Sequence, residues 1–468
     1  MHQLNVDVAV IGAGSAGLAA YRAALESTSS VVLIEGGEYG TTCARVGCMP
    51  SKLLIAAAEA AEASRLAPAF GVHTGGLHID GRAVMHRVRR ERDRFVGFVV
   101  DTVNDIPAGH RLRGRAVFAD DHTLEVGEHT TVTAARIVIA TGSSPAWPKH
   151  FDAAGDRLVV NDDIFEWRSL PKSIAVFGPG VIGLELGQAL HRLGVKVHMF
   201  GIGGGVGPLT DPEILAYAGK TFAGEFFLDA NARVSSIERS ADGVRIVYAG
   251  TDGRPQTIDV DYLLAATGRQ PNVFGLGLEN TSLPLDEQGI PQVDEYTMQI
   301  GDSHVFLAGD ATDSRPLLHE AADEGRIAGS NAGHFPAVRP AARRSALGVV
   351  FSDPQIAMIG ASRSELAHRR IVVGKVSFEN QGRSRVMLKN KGLLHVYADA
   401  NTGLFLGAEM FGPSAEHIGH LLAWAHQSKL SVADMLAMPF YHPVVEEGLR
   451  TALRDACAQL ADCGLKAA

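Results

Sequence analysis

One short glycine pattern occurs twice in this chain, and that repeat limits the possible folds more than any other feature. The first copy contains Gly12, Gly14 and Gly17 directly after an apolar strand pattern. An Ala- and Leu-rich segment follows, and then a second apolar run that ends in Glu35. This order predicts a strand, a tight turn, a helix and a strand. In such a unit the helix N-terminus faces a pyrophosphate, and the terminal acid accepts hydrogen bonds from a ribose.

The second copy repeats the spacing of the first. Its glycines and the residues between the last two are Gly178, Gly180, Val181, Ile182 and Gly183. Two such folds in one chain predict two bound dinucleotides. The copies differ where the first has Glu35, because the second has Gly201 there and no Arg beside it. The sequence therefore leaves both NAD and NADP open for the second fold.

Three more apolar strands end in short turns that carry polar or glycine residues. These turn residues are Thr141, Gly142, Ser143, Gly268, Arg269 and Asp310. One such turn is ordinary in an α/β sheet, but three of them interleaved with two glycine patterns favour a large α/β dinucleotide-binding architecture. From about residue 346 the strand and helix patterns change, which indicates a separate C-terminal α+β domain.

Length and charge exclude several classes of protein. A chain of 468 residues exceeds one ordinary core and is long enough for roughly three domains. A net charge of −9 argues against nucleic acid as the main partner. No apolar run reaches the roughly 18 residues of a membrane span, and the N-terminus shows no signal or transit pattern. We therefore expect no membrane association and a cytoplasmic location.

Cys43 and Cys48 form the most reactive candidate pair, with four residues between them. In a reducing compartment a close pair is more often catalytic or redox-sensing than structural, and no further Cys or His pair at zinc-finger spacing lies nearby, so we expect no metal. A continuous helix would hold the two Cα atoms too far apart for easy bridging, so this segment should be distorted. Pro50 suits a first helical turn, which would place Cys48 where a thiolate is stabilised.

Taken together, these residues resemble the pyridine nucleotide–disulfide oxidoreductase family, and among its members the dihydrolipoamide dehydrogenases most closely. The resemblance covers nearly the whole chain and includes the segments 43–52, 353–360 and 442–447 besides the two glycine patterns. It implies FAD on the first fold, a nicotinamide dinucleotide on the second, and a homodimer formed by the C-terminal domain. The expected domains are an FAD-binding part, a NAD(P)-binding domain, a second FAD-binding or central part and a dimerisation domain, over 1–145, 146–270, 271–345 and 346–468.

The resemblance also implies unequal roles for the two thiols. Cys48 would lie against the flavin as the charge-transfer thiolate, and Cys43 would exchange with a substrate dithiol. That dithiol could be a small molecule or the lipoyl domain of a 2-oxoacid dehydrogenase complex. His442 would act as the base, oriented by Glu447, and both would come from the other subunit. Electrons would pass from the dithiol to the thiol pair, then to FAD and then to NAD.

Further site residues follow from the same resemblance. Lys52 and Glu185 would pair beside the flavin. The expected cofactor-binding residues are Gly12, Gly14, Gly17, Glu35, Thr42, Lys52, Ala116, Thr141, Gly142, Ser143, Asp310, Leu318, Gly178, Gly180, Val181, Ile182, Gly183, Val234, Gly268 and Arg269. The sequence departs from the family at two catalytic segments, with Arg45 where Asn is common and Val444 where Thr is usual.

Two alternative functions stay open. One is another disulfide reductase or a mercuric reductase, which Cys457 and Cys463 on the predicted last helix suggest. Mercuric reductases carry adjacent C-terminal thiols and a Tyr at the position of His442, so we interpret these two residues as incidental helix cysteines. The other alternative is a non-enzymatic flavin and thiol redox sensor or a structural subunit. The His442 and Glu447 pair argues against it, because a switch needs no dedicated base.

Overall fold

The computed structural model of the protein describes residues 2–73, 75–250 and 252–464. The first part of the chain contains seven strands: β1 His2–Ile11, β2 Val31–Glu35, β3 Arg111–Arg113, β4 Ala116–Phe118, β5 Thr123–Val126, β6 Thr130–Ile139 and β7 Ser143–Pro145. Four helices lie between them: α1 Ser15–Leu25, α2 Thr42–Val46, α3 Cys48–Leu66 and α4 Gly81–Asn104.

The second part carries the strands β8 Leu158–Val159, β9 Ser173–Phe177, β10 Lys196–Phe200, β11 Phe227–Asp229, β12 Val234–Arg239, β13 Val244–Ala249, β14 Pro255–Val260, β15 Tyr262–Ala265 and β16 Arg269–Pro271. Its helices are α5 Asn161–Ile164, α6 Val181–Arg192 and α7 Pro212–Ala223. The chain then returns to the first part through β17 Val305–Leu307 and α8 Leu318–His334.

The last part contains the strands β18 Leu347–Val350, β19 Gln355–Gly360, β20 Ile371–Ser377, β21 Leu393–Asp399 and β22 Phe405–Gly412. Its helices are α9 Gly382–Val386, α10 Ala415–Gln427, α11 Val432–Leu436 and α12 Glu447–Gln459. Short 3-10 helices cover Ala67–Phe70, Ala108–His110, Lys149–Arg157, Leu278–Asn280, Gly309–Thr312 and Phe378–Asn380.

The described residues form five sheets, and the three largest confirm the predicted α/β fold class. The first has the order β3-β2-β1-β6-β5-β4, and β17 pairs with β6. The second has the order β11-β10-β9-β15-β8, with the parallel pairing typical of a dinucleotide-binding unit. The third is an antiparallel sheet with the order β18-β19-β22-β21-β20. Two of the predicted domain limits fall between elements, whereas the limit at 270 falls inside β16. The limits themselves stay predictions.

The first sheet holds one glycine turn at the carboxyl end of β1, and the second sheet holds the other at the carboxyl end of β9, where open α/β sheets bind ligands. In the first turn, a Cβ on Gly17 would lie 1.8 Å from the carbonyl oxygen of Gly12. In the second turn, a Cβ on Gly183 would lie 1.9 Å from the carbonyl oxygen of Gly178. Both helices therefore pack against their strands at a distance that only glycine permits.

A buried polar contact joins the second fold to the C-terminal domain. Asp211 caps α7 with one carboxylate oxygen, and its other oxygen lies 2.8 Å from Nδ1 of His395 in β21. Glu409 of β22 accepts the amide hydrogen of the same Asp211 at 2.9 Å. These contacts fix the C-terminal sheet against α7. Among the helices that the structure describes, none combines the length and apolarity needed to cross a bilayer.

Candidate active site

The first glycine turn shows how the chain prepares one dinucleotide site. Gly14 is the N-cap of α1 and provides no side-chain cap, so the first backbone amides of the helix point outward for an anion. Ala13 donates its amide hydrogen to Oε2 of Glu35 at 2.8 Å, and Gly37 donates to Oε1 at 2.6 Å. The Glu35 carboxylate is thus held at the end of β2 beside the turn.

A cavity of about 600 Å³ opens at this turn, a volume suited to a large organic ligand. Nine of the predicted cofactor-binding residues line it: Arg269, which is described below, and Gly12, Gly14, Glu35, Thr42, Ala116, Thr141, Gly142 and Ser143. Helix amides for a pyrophosphate and a carboxylate for a ribose meet in this one cavity, so its residues fit FAD. The wall also contains residues that we did not predict, among them Ala13, Glu38, Arg45, Arg115, Asp162, Asn272 and Phe274.

Five other predicted residues lie in different positions relative to this cavity. Asp310 reaches it through a hydrogen bond that Ser143 donates at 2.9 Å. Arg269, predicted only as a cofactor residue, lines the cavity and donates from Nε to Oγ of Ser143 at 2.8 Å. Gly17 serves the packing of α1, Leu318 begins α8 with 47% of its surface exposed, and Lys52 lies on α3.

The second glycine turn has the same backbone construction. Gly180 is the N-cap of α6 and provides no side-chain cap, and Val181 and Ile182 form the first helical turn. Gly178 donates its amide hydrogen to the carbonyl oxygen of Phe200 at 2.8 Å, as Gly12 does to Ile34 at 2.7 Å. Two other predicted residues lie at strand starts: Val234 begins β12 and Gly268 precedes β16.

The thiol pair lies where one helix ends and another begins. Helix α2 ends at Val46, Gly47 breaks the helical path, and Cys48 is the first residue of α3, so the predicted distortion is present. Both cysteines are free thiols in hydrogen-bond contact with each other. That hydrogen bond raises the pKa of Cys43, and burial adds to the increase. The same hydrogen bond, together with the charge of Lys52, lowers the pKa of Cys48 to about 7 against the opposing effect of burial.

Lys52 and Glu185 form an ion pair beside the thiols, although 132 residues separate them in the sequence. Nζ of Lys52 lies 2.7 Å from Oε2 of Glu185, whose side chain is only 4% exposed. The backbone amide of Phe351 donates to Oε1 of Glu185 at 2.9 Å, and the Lys52 ammonium lies 4.6 Å from the centre of the Phe351 ring. Helix α3 of the first part, helix α6 of the second part and the segment after β18 therefore meet at this ion pair.

His442 and Glu447 form the second predicted pair. Nδ1 of His442 lies 3.0 Å from Oε2 of Glu447, the first residue of α12. A hydrogen bond from His442 lowers the pKa of Glu447. Arg450 also donates to Glu447, at 3.0 Å, so that carboxylate is fixed on both sides. The imidazole itself is 80% exposed, which leaves its Nε2 edge open to a group outside this subunit.

The C-terminal cysteines differ from the prediction. Helix α12 ends at Gln459, so Cys463 lies beyond it rather than on it. The chain turns back after the helix, and Cys457 and Cys463 form a disulfide with their Cα atoms 5.2 Å apart. Our interpretation of two incidental helix cysteines was wrong, because it assumed a helix that continued to about residue 462.

The sequence gives little or no indication of the roles of Phe351, Arg45 and Pro179 at the site. Phe351 supports Glu185 through its backbone amide, which any residue type could provide. Arg45 pairs with Glu38 at 2.8 Å on the cavity wall, and only the departure from the family pattern marked it in the sequence. Pro179 lies inside the second glycine pattern. The sequence does not show, however, that its ring occupies the space that a side chain at Gly201 would need.

Two family matches cover most of the chain. The family described as pyridine nucleotide-disulphide oxidoreductase matches residues 6–325. The dimerisation domain of the same family matches residues 347–453, which supports a homodimer. Together the two matches contain every residue that we predicted at the site.

Individual relatives resemble the chain over nearly its full length. A dihydrolipoyl dehydrogenase of Geobacillus stearothermophilus is 29% identical, over 95% of this chain and 94% of its own. A mercuric reductase of Streptomyces lividans is 31% identical, over 97% of each chain. The crystal structure of LpdA from Mycobacterium tuberculosis has a TM-score of 0.81 at 25% identity and covers 96% of this chain and 99% of its own. Relatives of two different activities therefore match equally well.

Proposed function

Because the chain belongs to the pyridine nucleotide-disulphide oxidoreductase family, whose members use FAD and NAD(H), we propose that it is a dihydrolipoamide dehydrogenase. It would oxidise a dithiol through Cys43 and Cys48 and reduce NAD⁺. The observation that carries this proposal is the 3.0 Å contact between His442 and Glu447, since dithiol oxidation needs a base that a metal-ion reductase does not. The spacing of Cys457 and Cys463 also supports it, because these residues lie six positions apart, whereas the C-terminal thiols of mercuric reductases are adjacent.

The proposed reaction begins with the Cys43–Cys48 pair as a disulfide. Nε2 of His442 removes a proton from one substrate thiol, and the resulting thiolate attacks Sγ of Cys43. The Cys43–Cys48 bond breaks, and Cys48 leaves as a thiolate. The second substrate thiol then attacks the mixed disulfide, which releases the oxidised substrate and gives a thiol on Cys43. Two electrons have passed from the substrate to the protein thiols.

The electrostatics of the pair suit this order of events. A leaving thiol with a lower pKa departs faster, and the pKa of Cys48 is lowered to about 7. The raised pKa of Cys43 keeps that residue protonated, so it donates a hydrogen bond to the Cys48 thiolate. Bound FAD would supply the two-electron carrier between this thiolate and NAD⁺. Lys52, held by Glu185, would stabilise negative charge beside the thiols.

The exposure of His442 in the His442–Glu447 pair supports a site shared between two subunits. His442 is 80% exposed, and the hydrogen bonds of its Nδ1 go to Glu447 of the same subunit. In a homodimer the open Nε2 edge would face the thiol pair of the other subunit, where a lipoyl group or a small dithiol would enter. We place this exchange in the cytoplasm, where a close cysteine pair more often forms a transient catalytic disulfide than a structural one.

A substrate panel tests the proposal. Purified FAD-loaded protein is assayed for NAD⁺ reduction by dihydrolipoamide, and for NADH oxidation by oxidised glutathione and by Hg²⁺. We expect dihydrolipoamide to give the largest kcat/KM. Turnover with Hg²⁺ alone would point to the mercuric reductase function, and no turnover with any substrate would favour a redox sensor.

Two matched histidine variants test the role of His442. His442→Ala should lower dihydrolipoamide oxidation by at least about 100-fold, the usual contribution of a positioned base, while FAD stays bound. His129→Ala removes an imidazole that is similarly exposed, at 84%, and should leave the rate unchanged. Equal rates for both variants and the parent protein would remove His442 from the mechanism.

A further inference from the structure

The second glycine fold lacks the group that selects between the two nicotinamide dinucleotides, and the structure shows what occupies its position. In the first sheet Ile34 pairs with Ile11, and in the second sheet Phe200 pairs with Phe177. The residues that follow, Glu35 and Gly201, therefore occupy the same place relative to their glycine turns. Glu35, the acid predicted to accept hydrogen bonds from a ribose in the first fold, has no counterpart in the second.

This difference is linked to a second one inside the glycine turn. Ala13 and Pro179 occupy equivalent positions between the first two glycines of each copy. Ala13 donates its amide hydrogen to Glu35 at 2.8 Å, whereas a proline has no amide hydrogen to donate. The Pro179 ring instead fills the space beside Gly201. A Cβ on Gly201 would lie 2.7 Å from both Cγ and Cδ of Pro179 and 3.1 Å from the carbonyl oxygen of Ala230.

The loop after Gly201 is fixed by its backbone and presents almost no side chain. Gly204 donates to the carbonyl oxygen of Ala230 at 3.0 Å, and Gly207 donates to that of Pro179 at 2.7 Å. The loop residues 202–206 are three glycines and two apolar residues, Ile202 and Val206, of which Ile202 is 88% exposed. This loop thus offers neither a carboxylate that would accept hydrogen bonds from ribose hydroxyls and repel a 2′-phosphate, nor a cation that would attract the phosphate.

We infer that the second fold binds the 2′-hydroxyl and the 2′-phosphate forms of the nicotinamide dinucleotide with similar affinity, so that the protein accepts both NAD(H) and NADP(H). Pro179 and Gly201 together determine this tolerance. The inference rests on the proposed position of the nicotinamide dinucleotide on the second fold. It assigns to these two residues a common role in cofactor selectivity.

Calorimetric binding to the FAD-loaded homodimer tests the inference without turnover. The probes are ADP-ribose and 2′-phospho-ADP-ribose, measured in the same buffer because phosphate binding depends on ionic strength. We expect dissociation constants that differ by less than about tenfold. A larger preference for either probe overturns the inference and leaves the proposed function intact. Binding of neither probe overturns the inference and the position of the nicotinamide site together.

Variants then test the linkage between the two residues. Pro179→Ala combined with Gly201→Glu rebuilds the Ala13 and Glu35 arrangement and should raise the preference for ADP-ribose by at least about tenfold. Gly201→Glu alone should weaken both probes, because the new side chain meets the Pro179 ring. Pro179→Ala alone should leave the ratio of the two affinities unchanged. An unchanged ratio in a double variant that retains FAD would contradict the linkage.

Discussion

The two glycine folds of this chain share a backbone and differ in the side chains that meet their ligands. A Cβ added at Gly17 or Gly183 would lie 1.8 or 1.9 Å from a carbonyl oxygen of the same turn, so neither position can carry a side chain. The position of Glu35 in the first fold corresponds to Gly201 in the second. The position of Ala19, two residues after Gly17, corresponds to Glu185, two residues after Gly183. The fold thus fixes the glycines, whereas the residues around them differ: the first fold holds a carboxylate beside its glycine turn, and the second supplies the carboxylate that pairs with Lys52 beside the thiols.

The glycines that pack each helix should show the largest effects. Gly17→Ala and Gly183→Ala each place a Cβ inside the contact distance of a carbonyl oxygen, and we expect each to cost about 3 kcal/mol of unfolding free energy. Gly17→Ala should also lose FAD, whereas Gly183→Ala should retain FAD and lose nicotinamide binding. Urea unfolding and flavin absorbance measure the two effects.

Gly14→Ala is the matched control for these variants. A Cβ at Gly14 meets no protein atom within 4 Å, so the free energy of unfolding of the FAD-free protein should stay unchanged. Its FAD affinity should still fall, because the added methyl group faces the cavity. Equal destabilisation by Gly14→Ala and Gly17→Ala would contradict the packing argument.

Glu185 should show the next largest effect, since it is the group that the second fold adds to the thiol site. Glu185→Ala removes the carboxylate that holds Lys52 and accepts the Phe351 amide hydrogen. We expect a loss of about 2 kcal/mol in transition-state stabilisation, measured as kcat/KM for the dithiol. Ala19→Ser at the equivalent place in the first fold should change neither rate nor FAD content. A similar rate for Glu185→Ala and the parent protein would show that Lys52 needs no anchor.

Glu35 should show a smaller effect confined to the first fold. Glu35→Gln keeps a side chain of the same size but removes the charge that accepts the amides of Ala13 and Gly37. The FAD dissociation constant should rise about tenfold, or about 1.4 kcal/mol, and the affinity for ADP-ribose on the second fold should not change. A change at both sites would mean that the two folds are not independent.

The thiol pair should show the smallest change, in pH dependence rather than in affinity. Because the pKa of Cys48 is lowered to about 7, its thiolate is present above that pH and is protonated below it. Cys43→Ala removes the hydrogen bond and should move the pKa of Cys48 upward, whereas Cys43→Ser keeps a donor and should move it less. The pH dependence of Cys48 alkylation in the reduced protein measures this difference. Identical profiles in both variants would exclude the hydrogen bond as the cause.

The sequence was most informative where a residue type is forced by the backbone. The glycine turns, Glu35 and the helix start at Cys48 are of this kind, because few other residues satisfy the local geometry. Contacts that join distant segments could not be derived from spacing. Lys52 and Glu185 were paired only through the family resemblance, and Arg269 was predicted to bind a cofactor without being assigned to either fold.

Two further features depended on details that residue patterns do not encode. The disulfide Cys457–Cys463 forms because the chain reverses after Gln459, and helical periodicity gave no sign of that reversal. The sequence did not explain Gly201, because the reason is spatial: a Cβ added at this position would lie 2.7 Å from the Pro179 ring. Both features become evident only once the separate segments are placed in space.

Mapping of thiols by mass spectrometry tests the central claim most directly, which is that Cys43 and Cys48 carry electrons between the two sides of the site. The oxidised, FAD-loaded protein is treated with NADH, and all free thiols are then alkylated under denaturing conditions. We predict that Cys43 and Cys48 become alkylated only after NADH is added, whereas Cys457 and Cys463 stay in their disulfide. Alkylation of Cys43 and Cys48 to the same extent with and without NADH would contradict the account.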